Sequence, residues 1–417
     1  MIDKYVDIAV IGGGPAGLAA AISAKKHGAK KVLIIERNSW LGGILPQCIH
    51  DGFGVEELGV SLTGPEYAEL YVKQIQENNI EIMKETMVLQ INEENKLYAM
   101  NKQGLFQIHA KVVIFAMGCR EKTRWHSMIA GSRPSGIYTA GVAQAFINLY
   151  NILPGKNVVI LGSGDVGLII ARRLKFEGAN VLGVVELLPH ASGLPRNVVQ
   201  CLDDYDIPIF LNHTVINIDG KQRVESVTIV QVDDKKNPIA GTEKKIDCDT
   251  LLLSLGLIPE NELSKEIGVT IDEVTGGPLV NQYFETSCSG FFACGNCLQV
   301  YDTVDMLSSD AKIAGKHAAK KLSAINDSFH CKSKIIAGNG VRYVVPQFVD
   351  CSDTIEMSFR VVKPQRNVKV CIQSKNKQLS LKKLAFVHPS NMTRLAIMIP
   401  QDVIKLNQDI KVSIIEK

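Results

Sequence analysis

Residues 6–37 read VDIAVIGGGPAGLAAAISAKKHGAKKVLIIER, and residues 157–187 read NVVILGSGDVGLIIARRLKFEGANVLGVVEL. Each starts with an apolar run of strand length, turns through spaced glycines and enters a helical stretch. Each then passes another glycine, Gly28 or Gly178, and ends a second apolar run on an acid. The two copies register at an offset of 150, pairing Gly12 with Gly162, Gly14 with Gly164, Gly17 with Gly167 and Glu36 with Glu186. A lone Gly-x-Gly-x-x-Gly is weak evidence. Two copies, each flanked by strand-like runs and each followed 19 residues after the third glycine by an acid, predict two dinucleotide-binding βαβ units.

The chemistry requires those residue types. The first glycine permits the tight turn out of the strand, and the second lets the backbone approach a pyrophosphate. The third lets helix and strand pack closely, while the helix N-terminus offers N–H groups and a positive dipole end. The closing carboxylate accepts hydrogen bonds from a ribose diol. Gly28 and Gly178 read more simply as helix C-caps. A glycine-rich turn that binds nothing is the bland reading of either copy, and the duplication argues against it.

At 417 residues the chain is long enough for two to four domains. Its net charge of +3 suggests neither nucleic acid nor an anionic surface as a partner. Ten cysteines without dense pairing read as free thiols in a reducing compartment, so a cytoplasmic protein is expected. Seventeen uncharged residues lie between Asp7 and Lys25, but Gly12, Gly13, Gly14 and Pro15 interrupt them. That run also falls short of the roughly 20 residues a spanning helix needs, so no integral membrane segment is expected.

Two such units in this order resemble the two-dinucleotide-binding-domain flavoproteins, the pyridine nucleotide-disulfide oxidoreductase superfamily. Val112–Gly118 is similar to the strand that leaves the first domain of that family. Leu251–Asn261 is similar to the end of its second domain, and Thr286–Asn296, with Gly290-Phe-Phe-Ala-Cys-Gly-Asn, to its late flavin motif. The resemblance covers about residues 5–325 and implies an α/β fold. It consists of two Rossmann-like domains, an FAD domain (1–122 and 283–328) with an NAD(P) domain (123–282) inserted.

The resemblance also implies the site. Gly12, Gly14, Pro15, Ala16 and Gly17 would hold FAD, with Glu36, Arg37, Gly43, Gly118, Gly295, Asn296 and Thr303. Gly162, Gly164, Gly167 and Glu186 would hold the nicotinamide dinucleotide. Asn296 stands where the family usually has an Asp, which keeps an acceptor for the ribityl chain without its charge. A helix starting near Thr303 would point its positive end at the flavin, capped by Asp302 or Asp305. Glu186 favours NAD(H) over NADP(H), because a carboxylate there binds the 2′-hydroxyl and repels a 2′-phosphate. Arg196 could reach a phosphate but reads more simply as a surface charge.

Residues 41–50 (LGGILPQCIH) and 118–124 (GCREKTR) resemble a narrower branch. It comprises FAD/NAD-type subunits of glycerol-3-phosphate, opine, proline and cyanide-forming dehydrogenase complexes, which implies a partner flavoprotein subunit. A dithiol mechanism is not expected: Cys48 stands alone after the first acid, and His388-Pro389 has no Glu at useful spacing. Cys48, with His50 two residues on, could be a catalytic thiol, but the plainer reading is a small residue lining the flavin. Cys294 and Cys297 have C-x-x-C spacing inside the flavin motif, which reads as coincidence, and no metal site is expected.

From Cys331 the pattern changes to short alternating runs at Val341–Val349, Ile355–Val362, Val368–Gln373, Leu379–Phe386, Arg394–Ile399 and Asp409–Ile415. These predict a small β domain (331–417) of some six strands, used for contact. The expected activity is hydride exchange between NADH and FAD. An electron-transfer subunit of a dehydrogenase, or a protein that binds nucleotide for structure or sensing, stands as an alternative.

Overall fold

The computed structural model describes residues 1–92, 95–323, 333–375 and 377–415. The chain divides into two units, Met1–Cys119 with Pro259–Lys417, and Arg120–Ile258.

In the first unit the strand Ile2–Ile11 lies between Val32–Ile35 and Gly104–Phe115, all parallel. Phe291–Ala293 joins parallel to Gly104–Phe115, so the late motif returns to the sheet that the first motif began. Helices cover both faces of such a sheet, which is why its strands read as unbroken apolar runs. The helix Pro15–Lys26 buries nine of its twelve residues, mostly alanines. Small side chains let the helix Val304–Lys321 approach closely: a Cβ on Gly315 would lie 2.1 Å from the Ala20 carbonyl oxygen.

The second unit holds a five-stranded parallel sheet ordered 209–211, 180–186, 157–161, 250–253, 137–139. A second sheet carries the antiparallel strands Lys244–Asp247, Val224–Gln231 and His213–Gly220. The expected return at residue 283 is corrected to Pro259, and the entry to the second unit to Arg120 rather than residue 123. Residues 259–282 belong to the first unit because Val269 and Val280 pack in its core. Asn261 Nδ2 also donates to the Cys297 carbonyl at 2.7 Å. This stretch is mostly irregular, with one five-residue helix, and offers the sequence no long period to read. The expected boundaries at residues 328 and 331 lie outside the described residues.

The C-terminal segment has eight strands among the described residues, not six. They form one sheet of five and one of three. Ser333–Ala337 is an additional strand, and Pro346 and Gln347 split the Val341–Val349 run in two. Its own core includes Met357, Phe359, Val370, Ile410 and Val412, all fully buried.

Largely buried ion pairs join it to the rest of the first unit: Arg360 with Asp302, and Arg394 with Asp310 at 2.5 Å. Burial pushes the Asp310 carboxyl up to about 6, against the downward pull of Arg394 and the Tyr301 hydroxyl. Asp302 and Asp305 do not cap the Val304–Lys321 helix. Thr303 does, its side chain accepting from Met306 N. Asp305 instead accepts from Gly54 N at 3.1 Å and Glu57 N at 2.9 Å.

Candidate functional site

The first glycine turn joins Ile2–Ile11 to the Pro15–Lys26 helix. A Cβ at Gly12 would lie 2.3 Å from the Ala116 carbonyl oxygen, and one at Gly17 would lie 1.9 Å from the Gly12 carbonyl oxygen. Both glycines are therefore required by the protein's own packing. Gly14 is different, since a Cβ there would meet only Gly43 Cα at 3.7 Å. Its smallness leaves room for a ligand rather than for protein. Gly14 is also the N-cap, so no side chain caps the N–H groups of the following turn, and Pro15 fills the position that needs no donor.

Glu36 is 5% exposed at the end of Val32–Ile35. One carboxylate oxygen accepts from Gly13 N at 2.7 Å and the other from Asn38 N at 2.7 Å. A carboxylate has about four lone-pair sites, so each oxygen keeps one for a further donor. Gly43 packs against Gly14, and a Cβ on Gly295 would come within 2.6 Å of the Ala16 Cβ. The late motif thus meets the start of the first helix. Asn296 Oδ1 accepts from Tyr301 N at 3.2 Å, and Nδ2 points at the Cys119 thiol, 3.6 Å away. Arg37 is exposed, and Gly118 takes φ +73 in the loop after the strand Gly104–Phe115. These residues fit the adenosine, pyrophosphate and ribityl parts of FAD.

Cys48 lies at the end of the turn Leu45–Gln47, its thiol 3.5 Å from the Ile44 carbonyl. Burial pushes the thiol up to about 12, which keeps it protonated at neutral pH. His50 lies tilted on the Phe53 ring at 5.1 Å. Cys294 and Cys297 are both fully buried. The Cys297 thiol donates to the carbonyls of Phe115 and Cys294, at 3.3 and 3.2 Å, and burial raises it to about 11. Burial raises the Cys294 thiol as well. Among the described residues no cluster of His, Cys, Asp and Glu could hold a metal ion.

The second glycine turn repeats the first with different neighbours. A Cβ at Gly162 would lie 2.2 Å from the Ser254 carbonyl oxygen, and one at Gly167 would lie 2.7 Å from Ser254 Cβ. Gly164 is the N-cap of Asp165–Phe176, and a Cβ there would lie 3.1 Å from Ser254 Oγ. Glu186 is 4% exposed and heavily engaged. One oxygen accepts from Ser163 N at 3.0 Å, from the Ser163 hydroxyl and from Ser192 Oγ at 2.9 Å. The other accepts from Leu188 N at 2.9 Å. Asp165 Oδ1 accepts from Leu194 N at 2.8 Å and Asn197 Nδ2 at 2.6 Å, drawing the segment 192–197 to the motif. Arg196 is exposed.

Sequence reading missed Ser163, Asp165 and Ser192. The first two occupy the variable places of the glycine motif, where position alone assigns no role. Ser192 has no signal in the sequence.

The family model described as pyridine nucleotide-disulphide oxidoreductase matches residues 6–318. The NADH oxidase of Methanocaldococcus jannaschii is 25% identical over 344 residues, 77% of this chain and 71% of that one. The hydrogen cyanide synthase subunit HcnB of Pseudomonas protegens is 27% identical over 286 residues, 62% of this chain and 58% of that one. The chain thus spans little more than half the length of this second relative. Among solved structures, the thioredoxin reductase of T. acidophilum shares the fold with a TM-score of 0.61 at 23% identity. That match covers 76% of this chain and 99% of that one. The chain belongs to the pyridine nucleotide-disulphide oxidoreductase family.

Proposed function

We propose that this member of the pyridine nucleotide-disulphide oxidoreductase family binds FAD in its first unit and NADH in its second. Hydride then passes between the two dinucleotides without a protein dithiol. The observation that carries the reading is the repeated cradle, an uncapped glycine N-cap facing a buried carboxylate, once in each unit.

Bound FAD supplies the two-electron acceptor. The chain's residues hold and orient. Gly12 and Gly17 set the turn, Gly14 leaves room for the pyrophosphate, and the N–H groups of Ala16 and Gly17 face it. Glu36 uses its remaining lone pairs for the adenosine ribose. Gly43, Gly118, Gly295 and Asn296 line the approach, with Arg37 at the rim. The helix that Thr303 caps would place its positive end where it could stabilise negative charge on a reduced flavin. In the second unit Gly162, Gly164 and Gly167 cradle the NADH pyrophosphate, and Glu186 takes its ribose diol. The raised Cys48 thiol and the buried Cys294 and Cys297 support a mechanism without thiol exchange.

The likeness to the cyanide synthase subunit favours a second reading, in which the same site serves as one component of a larger dehydrogenase. Two measurements separate these. Cofactor released from the purified protein is FAD on the first reading, and FMN or no flavin defeats both. NADH-driven reduction of small acceptors by the isolated chain supports the first. Fast flavin reduction without such turnover, restored by a co-purifying subunit, supports the second.

A further inference from the structure

The net charge of +3 conceals a division. Residues 331–417 carry 15 Lys and Arg against six Asp and Glu, a net +9, which leaves −6 for residues 1–330. No acid occurs between Glu356 and Asp402, an interval that holds nine Lys and Arg. The positive charge of the chain is thus gathered in its C-terminal β domain.

The five-stranded sheet of this domain turns one face to its core and the other outward. Ile335, Val370, Ile372, Ile410, Val412 and Ile414 point into the core. Strand register sets the outward residues in rows. One row runs Ile336, Lys411, Gln373, the next Ser413, Cys371, Leu381, and the third Ile415, Lys369, Lys383. Cys371, in the middle row, is itself buried. Ile336, Leu381 and Ile415 are 41%, 43% and 44% exposed. The face therefore carries protruding aliphatic side chains among lysines, with no acid in these three rows and the exposed Asp409 bordering the first of them. Lys369 stands directly opposite Lys383, an arrangement that destabilises a sheet unless outside charge compensates it.

We propose that this outer sheet face docks the protein on an anionic phospholipid surface. Charge complementarity points to an anionic partner, and the residue types favour lipid. The cations in these rows are all lysine, which is depleted in protein interfaces, where arginine is favoured. Lysine's flexible stem suits a fluid field of headgroup phosphates, and the aliphatic side chains can enter the boundary beneath them. The rows contain no aromatic residue on which nucleic-acid bases could stack. No described helix is long and apolar enough to cross a membrane, so the contact would be peripheral.

The test is co-sedimentation of the full flavin-loaded chain with phosphatidylcholine vesicles, with and without about 30% phosphatidylglycerol, at low and high salt. Binding to the anionic vesicles alone, weakened by salt, is the expected result. Lys369→Gln/Lys383→Gln/Lys411→Gln should lower partitioning by about tenfold or more. Lys30→Gln/Lys31→Gln/Lys84→Gln removes the same charge from exposed positions outside this sheet and should leave binding within about twofold. Unchanged flavin content and circular dichroism show that the variants fold. Failure of the wild type to prefer anionic vesicles overturns the proposal. So does equal loss in the two triple variants, tighter binding to RNA than to vesicles, or self-association that depends on the same lysines.

Discussion

The two glycine units share a plan and differ in how much of it the protein has already used. Glu36 holds one backbone N–H on each oxygen, whereas three of the four donors on Glu186 crowd one oxygen. Gly14 faces space bounded only by Gly43, while Gly164 faces the Ser254 hydroxyl. On the proposed function, the first unit suits a ligand that stays. In the second, the hydroxyls of Ser163 and Ser192 already donate to the acid, and on that reading they exchange for those of a dinucleotide that comes and goes. The neighbours of the acid are what distinguish the two units.

The largest effect should come from swapping the same lesion between units. Gly14→Val places a branched side chain in the pyrophosphate's path, and flavin content should fall from stoichiometric to background. Gly164→Val should keep its flavin and lose reduction by NADH. Equal flavin content in the two variants would erase the distinction between the units.

Glu186→Ala should lower the second-order rate of flavin reduction by NADH by about 10- to 100-fold, since loss of a charge-assisted hydrogen bond costs roughly 1.5–3 kcal/mol. NADPH should change little or improve, because a phosphate no longer faces a carboxylate. Rapid mixing at low salt gives both rates, and a wild type that already prefers NADPH would refute the role given to Glu186.

A smaller effect tests the reinforcement that the first unit receives from the C-terminal domain. Burial holds the Asp310 carboxyl near 6, above its ordinary 3.8. The folded state then binds the proton more tightly than the unfolded state. This group's contribution is fully present below about pH 4, declines as pH rises towards 6 and is flat above. Asp310→Asn cannot titrate. The wild-type Tm minus the variant Tm should therefore fall between pH 4 and 6, by the equivalent of about 3 kcal/mol at most. A difference that rises with pH would show a carboxylate stabilised by Arg394 instead.

The smallest effect is expected at Cys48. Cys48→Ser should leave reduction by NADH within a few-fold and create no change in the long-wavelength absorption of the reduced protein. Loss of a charge-transfer band would restore a thiol to the mechanism.

Both units were legible because their residues obey local rules: strand, three glycines, helix and acid recur at a fixed spacing. The boundary at Pro259 was not, since residues 259–282 are held by scattered contacts such as Asn261 to the Cys297 carbonyl, which no period announces. The cap assignments failed for a similar reason. Asp302 and Asp305 sit where caps are common, yet Arg360 and the turn at Gly54, distant in sequence, claim them. Ser192 became visible only when the fold laid it beside Glu186.

The central claim of the proposed function is that one chain binds both FAD and NADH and passes a hydride from one to the other. Anaerobic titration of the purified protein with NADH, followed in the flavin's visible band, tests it most directly. Complete bleaching by about one equivalent of NADH per flavin, faster than with NADPH, is the expected result, because hydride transfer moves two electrons at once. A flavin that stays oxidised in excess NADH would contradict the account.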